Sequence, residues 1–190
     1  MFELALHILD LVQNSIRAGA TLVTVEIMVN HREDTLTIRI IDDGCGMDAE
    51  LLARVTSPFA TTRTTRKVGL GIPMLKQCAE MCGGTFDLAS EPGVGTTLTA
   101  TFVDSHVDRP PLGDIPATMQ ALILGSPDVP DFVLCYVADG HESMFDTREV
   151  RQALGGVPLS EPAVLQWISD AISEGMAEVD QLAGQDPEPS

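Results

Sequence analysis

Apolar residues at Leu4, Ile8, Leu9, Leu11, Val12 and Ile16 recur at helical spacing, and Gly19 stops the pattern. On another side of the same helix Glu3, His7, Asp10, Asn14 and Arg17 fall at steps of four, three, four and three, which draws one polar stripe down it. A charged stripe ordinarily meets water. The period then drops to two. In "TLVTVEIMVN" Val23, Val25, Ile27 and Val29 alternate with Thr24, Glu26 and Met28, so a strand is expected that is covered more heavily on one face. The polar turn "HRED" leads into "TLTIRIID", a second alternating segment, and the pair predicts an antiparallel hairpin that stops at "DDGCGMD".

"DAELLARV" has the acidic start of a short helix. "TSPFATTRTTRK" is Thr-rich, basic and nearly free of large apolar residues, and reads as a mobile loop. Helical spacing resumes in "VGLGIPMLKQCAEMCGG", with Pro73 tolerated in the first turn and Gly83-Gly84 closing the end. Two further strands, "TFDLAS" and "TTLTATFV", flank the turn "EPGVG". Helix, hairpin, loop, helix, hairpin is the order of an α+β two-layer sandwich.

From Asp104 the pattern changes. "DSHVDRPPLGD" has no periodicity, which places a boundary there: residues 1–105 form one domain and residues 106–183 an α+β appendage. The appendage reads as a helix near 114–124, a hairpin turning at Asp139-Gly140, a short helix from Thr147 and a longer one from Ser160 toward Ala183. The tail, 184–190, is expected to be disordered.

Charge sharpens this division. Residues 1–104 carry 8 basic and 13 acidic side chains, residues 105–190 carry 3 and 15, and the net charge is −17. A polyanion such as nucleic acid is repelled by most of this surface. The acidic appendage is expected to serve as a partner-binding module outside the catalytic site. No charged-then-apolar leader precedes the first helix and no apolar run reaches the length of a membrane span, so a cytoplasmic protein with reduced thiols is expected. Cys78 and Cys82 lie four apart on a predicted helix, but two ligands make a poor zinc site, and the reading is buried small hydrophobes.

The pieces "DLVQNSIRAGAT", "IIDDGCGM", "SPFATTR", "VGLGIPMLKQCAEMCGG" and "EPGVGTTLTATF", in that order, resemble the GHKL superfamily of ATPases, which have the Bergerat fold. The first two look most like the mismatch-repair MutL proteins. The other three look more like bacterial histidine kinases and the anti-sigma serine kinases. One glycine motif is weak evidence, but five ordered elements within residues 1 to 104 are strong, and they turn the polar stripe into a nucleotide-facing wall.

The resemblance implies a cofactor and a set of roles. ATP and Mg2+ are expected, with the neutral amide oxygen of Asn14 as a hard metal ligand. Asp10 matches the position of a water-activating glutamate, one methylene shorter here, and is the implied general base. Asp42 is implied to read the exocyclic amine of adenine, with Gly44 and Gly46 shaping the bend beside it and Met47 adding an apolar contact. Thr61, Thr62, Arg63, Arg66 and Lys67 fall in the implied ATP lid, where cations meet the β- and γ-phosphates. Gly69, Leu70 and Gly71 open a helix whose amides receive phosphate oxygens. Lys67 stands where kinase relatives often have a further glycine. Gly95 and Thr96 are implied to close the adenine pocket, with the Thr96 hydroxyl beside Asp42.

Because the nucleotide helix comes first, no upstream helical pair presents a phospho-accepting histidine, and autophosphorylation by this chain alone is not expected. Three uses remain: phosphotransfer to a separate protein partner, slow hydrolysis, and non-catalytic ATP sensing. Nucleic acid and membrane are not expected partners. A homodimer is left open.

Overall fold

The computed structural model describes residues 3–57 and 70–185. Its elements run α1 (Leu4–Arg17), β1 (Leu22–Asn30), β2 (Thr35–Asp42), α2 (Ala49–Thr56), α3 (Gly71–Met81), β3 (Thr85–Glu91), β4 (Gly95–Val103), α4 (Ile115–Gly125), β5 (Asp131–Ala138), β6 (His141–Asp146), α5 (Thr147–Leu154) and α6 (Pro162–Ala183). The fold is α+β, with one six-stranded sheet in the order β3-β4-β2-β1-β5-β6.

The alternation along the strands sets the layers. Val23, Val25 and Ile27 of β1, Leu36, Ile38 and Ile40 of β2, and Leu98, Ala100 and Phe102 of β4 are buried and belong to one core. Leu4, Ile8, Leu11 and Val12 of α1, Ile72 and Leu75 of α3, and Met119 and Ile123 of α4 join the same core. The alternate strand positions are mostly polar, and some of them pair. Arg39 meets Glu26 at 3.0 Å and the hydroxyls of Thr37 and Thr101 lie 3.2 Å apart. Every expected element is present, and the three expected hairpins are antiparallel, with Val23 opposite Asp42, Thr85 opposite Thr101 and Val133 opposite Asp146.

Local periodicity did not reveal how the segment after Asp104 joins the rest. β5 pairs in parallel with β1, Leu22 opposite Asp131 through Val29 opposite Ala138, so the sheet runs through both parts of the chain. Phe132, Leu134 and Ile168 share the core with α1 and β1. The aperiodic strap of residues 104–114 is tied at both ends. Ser105 donates to Asp34 at 2.6 Å, while the carbonyls of Pro111 and Leu112 accept from the amides of Leu4 and Ala5 at 2.9 and 2.8 Å. Because α1 has no side-chain cap, these carbonyls satisfy amides that the helix itself leaves open.

Candidate functional site

A cavity of about 740 Å³ lies between α1, the "DDGCGM" bend and the hairpin β3–β4. Its apolar walls include Leu11 of α1, Ile40 of β2, Met47, Ile72 of α3, Leu88 of β3 and Leu98 of β4. Asn14, Ser15 and Arg17 line it from α1, and Asp42 and Thr96 from the sheet.

Asp42 ends β2 with both carboxylate oxygens engaged. Ser15 Oγ donates to Oδ2 at 2.6 Å, and the Gly44 amide donates to Oδ1 at 2.9 Å. Each oxygen accepts one bond and keeps acceptor capacity. The bend that follows is clamped from two sides. The Cys45 amide donates to the Ala18 carbonyl at 2.9 Å, and the Cys45 carbonyl accepts from Gly93 at 2.8 Å. Glycine is required at two places here. Gly46 has φ +69° and a Cβ there would fall 2.0 Å from the Glu91 carbonyl oxygen, while Gly95 has φ +144° and a Cβ would fall 2.0 Å from that of Asp42.

Ser90 of β3 ties the far wall together. Its Oγ accepts from the Met47 amide at 2.8 Å, donates to the Gly95 carbonyl at 3.0 Å, and lies 2.8 Å from Thr96 Oγ1. A serine has one proton, so with Gly95 receiving it the Thr96 hydroxyl is the donor to Ser90. Thr96 then presents lone pairs to the cavity, opposite Asp42 in the β2–β4 register. Asp43 turns the other way. It accepts from the Thr21 amide at 2.7 Å, the Leu22 amide at 3.0 Å and the Thr21 hydroxyl, and that hydroxyl bond, foremost, holds its carboxyl below the usual carboxylate range.

The polar stripe of α1 divides along its length. Asn14 and Arg17 line the cavity, with Arg17 Nη1 donating to Asn14 Oδ1 at 2.9 Å. Asp10 is exposed and outside the lining, with Gly71 at the start of α3 against it. Glu3 lies against Gly113 of the strap, and His7 is only 8% exposed, its pKa lowered by burial despite the neighbouring Asp10. The stripe is therefore a cavity wall over its last turn only.

The helix α3 opens without a side-chain cap. Leu70 is exposed and lines a separate depression with Pro73 and Met74, so its side chain does not face the cavity. Thr61, Thr62, Arg63, Arg66, Lys67 and Gly69 lie outside the described residues. Cys82 is buried and Cys78 half-buried, its thiol pushed up to about 11 by burial and then by Cys82. Among the described residues no group of three His, Cys, Asp or Glu is placed to hold a metal.

Sequence reasoning passed over Ser15 and Ser90. Ser15 carried a signal: it falls three and four residues after Val12 and Leu11 on the buried face, and a hydroxyl there needs a partner. Ser90 carried none, being an ordinary strand serine.

A cavity of this size, apolar on its walls and with a carboxylate fixed at one end, defines a small-molecule-binding α+β domain. The family described as histidine kinase-, DNA gyrase B- and HSP90-like ATPases matches residues 3–106, and the chain belongs to that family. These residues are an ATP-binding domain of the histidine-kinase-like type. The sensor protein kinase FleS of Pseudomonas aeruginosa is 39% identical over 92 residues, 48% of this chain and 23% of that protein. The non-motile and phage-resistance protein of Caulobacter vibrioides is 32% identical over 111 residues, 54% of this chain and 13% of that one. The sensor histidine kinase ZraS of Escherichia coli is 29% identical over 106 residues, 56% and 23% of the respective chains. The matched part is thus less than a quarter of the length of each of these relatives. The MutL ATPase domain of Aquifex aeolicus, solved with ADP, aligns over 96% of this chain and 97% of its own with a TM-score of 0.47 and 15% identity.

Proposed function

We propose that the chain binds ATP with magnesium in this cavity and either hydrolyses it or passes its γ-phosphoryl group to a separate protein. The observation that carries the reading is Asp42, a carboxylate fixed by Ser15 and Gly44 at the edge of an apolar slot. Adenine suits the slot, because its exocyclic amine is a donor and both Asp42 and Thr96 present acceptors. Guanine has a carbonyl at that place and leaves those acceptors facing a third.

The donor set also fits magnesium. The ion keeps several waters and needs few protein ligands, and Asn14 Oδ1 is a neutral hard donor on the cavity wall, occupied here by Arg17. When bound, the magnesium nucleotide supplies the phosphoryl group to be transferred, with the ion neutralising its charge. This chain's own residues orient the base through Asp42, close the slot with Met47 and Leu88, and present the uncapped start of α3 to anionic oxygens. Asp10, exposed beside Gly71, is assigned the acceptance of a proton from water.

The exposure of Asp10 favours a second use, an ATP-sensing module that neither hydrolyses nor transfers. No described helix is long and apolar enough to cross a membrane. A cytoplasmic setting and a protein partner complete the reading.

Titration calorimetry with ATP and GTP in magnesium tests the binding. ATP is expected to bind at least about tenfold tighter, and Asp42→Asn to remove about 1.5–3 kcal/mol, the worth of a hydrogen bond to a charged group. Equal affinities remove the adenine assignment. Following the γ-phosphate of labelled ATP separates the uses: label on a copurifying protein supports the kinase, free phosphate the ATPase, and binding with neither the sensor.

A further inference from the structure

The C-terminal half holds a second cavity, of about 330 Å³, between α5, α6 and the edge strand β6. Leu134 and Tyr136 of β5 and Phe145 of β6 form its floor, and Trp167, Ala171 and Met176 of α6 form one wall. Trp167 is the chain's single tryptophan and is 56% exposed. A large aromatic left half in water beside an apolar recess is the composition of an interface centre, where tryptophan is enriched.

The rim is anionic. The helix α6 contains Asp170, Glu174, Glu178 and Asp180 and no basic residue. Trp167, Asp170, Glu174 and Glu178 fall at steps of three, four and four, so the carboxylates share a face with the indole. Glu149 of α5 lines the opposite side and is exposed. The two arginines of α5 are already engaged, Arg148 with Asp146 at 2.7 Å and Arg151 with Asp131 at 2.8 Å. Among the described residues no ion pair holds Glu149, Glu174 or Glu178.

We propose that this groove is the docking site for a basic amphipathic segment of a protein partner, which inserts a large apolar side chain beside Trp167 and sets its Lys or Arg residues against Glu149, Glu174 and Glu178. Charge complementarity selects this occupant. A second copy would bring the same anionic α6 against itself, and nucleic acid or an anionic bilayer would be repelled. The inference goes beyond ATP binding and does not depend on it.

Trp167 is also the reporter. The full-length protein is titrated with a tryptophan-free synthetic amphipathic helix of Leu and Lys, with the same peptide carrying Glu in place of Lys, and with one carrying Ser in place of Leu. The Leu–Lys peptide is expected to shift the Trp167 emission to the blue, saturably, and several-fold more weakly when salt is raised. The other two are expected to leave it in place. The double variant Glu149→Lys, Glu174→Lys is expected to bind the Leu–Lys peptide at least about tenfold more weakly, with thermal stability and ATP affinity unchanged. The proposal is overturned if the Leu–Lys peptide leaves the emission unmoved, if the Glu peptide matches it, or if the double variant binds as tightly as the parent. It is also overturned by a concentration-dependent shift of the protein alone with the mass of a dimer, which would give the face to a second copy.

Discussion

Asp42 has one buried partner that determines where its carboxylate points. Ser15 is 4% exposed and donates at 2.6 Å, so Ser15→Ala leaves the Gly44 amide as the one remaining donor in this network. Losing a hydrogen bond to a charged group costs about 1.5–3 kcal/mol, and ATP affinity is expected to fall roughly tenfold or more by calorimetry. Ser15→Thr keeps the hydroxyl and is expected to recover part of it; no recovery would mean that the site feels only the change in packing. Asn14 and Asp10 are expected to fail differently. Asn14→Ala removes the proposed metal ligand and should weaken magnesium-dependent binding and turnover together. Asp10→Asn should keep binding while lowering phosphate release by roughly 10²–10⁴-fold, the usual contribution of acid–base catalysis. Unchanged release would leave Asp10 as a surface residue and move the reading toward the sensor.

At the scale of elements, two turns distant in sequence are held together. His31, after β1, lies 2.6 Å from Asp139, after β5, and its amide donates to the same carboxylate at 2.8 Å. The hydrogen bond to Asp139, foremost, raises the His31 pKa above 6.5, and the same bond lowers that of Asp139 below 3.8. The stabilisation is therefore complete between these two ordinary values. It is lost above them as pH rises through the raised histidine value, and below them as pH falls through the lowered aspartate value. His31 is largely exposed, though Asp139 is half-buried, so solvent screens the pair and the effect is a few degrees of melting temperature at most. Melting from about pH 6 to about pH 9 should show a loss in the parent that His31→Ala lacks. Equal slopes would remove the pair from the pH response. The elements themselves were readable because helix and strand periods are local properties of α1, β1 and β2. The stripe was misread at Glu3 and His7: His7 is buried, and Glu3, though exposed, lies against Gly113 of the strap, a neighbour a hundred positions later that leaves no mark on the spacing of α1.

For the whole molecule the consequence concerns where the chain can be cut. The compositional break at Asp104 coincides with the end of the family match at residue 106, so a nucleotide-binding fragment suggests itself there. The sheet argues otherwise. Removing β5 strips β1 of one neighbour along Leu22 to Val29, removing α4 uncovers the side of α1 it packs on, and Met119, Ile123, Phe132, Leu134 and Ile168 leave the shared core. Burial of such side chains contributes about 1.5–3 kcal/mol each, which is large beside a total stability of about 5–15 kcal/mol. A fragment ending at residue 104 is expected to lack a cooperative melt by circular dichroism and to bind ATP poorly. A sharp transition with full affinity would restore the two-domain reading. Charge and the loss of periodicity showed where the chain changes character; a parallel pairing between distant segments has no local signature.

That pairing also sets an order of events during synthesis. Val23 meets Phe132, so about 110 residues must emerge after β1 before its second edge is covered. At about 5–20 residues per second this is a wait of roughly 5–20 s, with an apolar strand open to pairing with other nascent chains. Ribosome pausing between β4 and β5 would lengthen that exposure, and the yield of soluble protein should respond to codon choice in this interval more than to codon choice after residue 138.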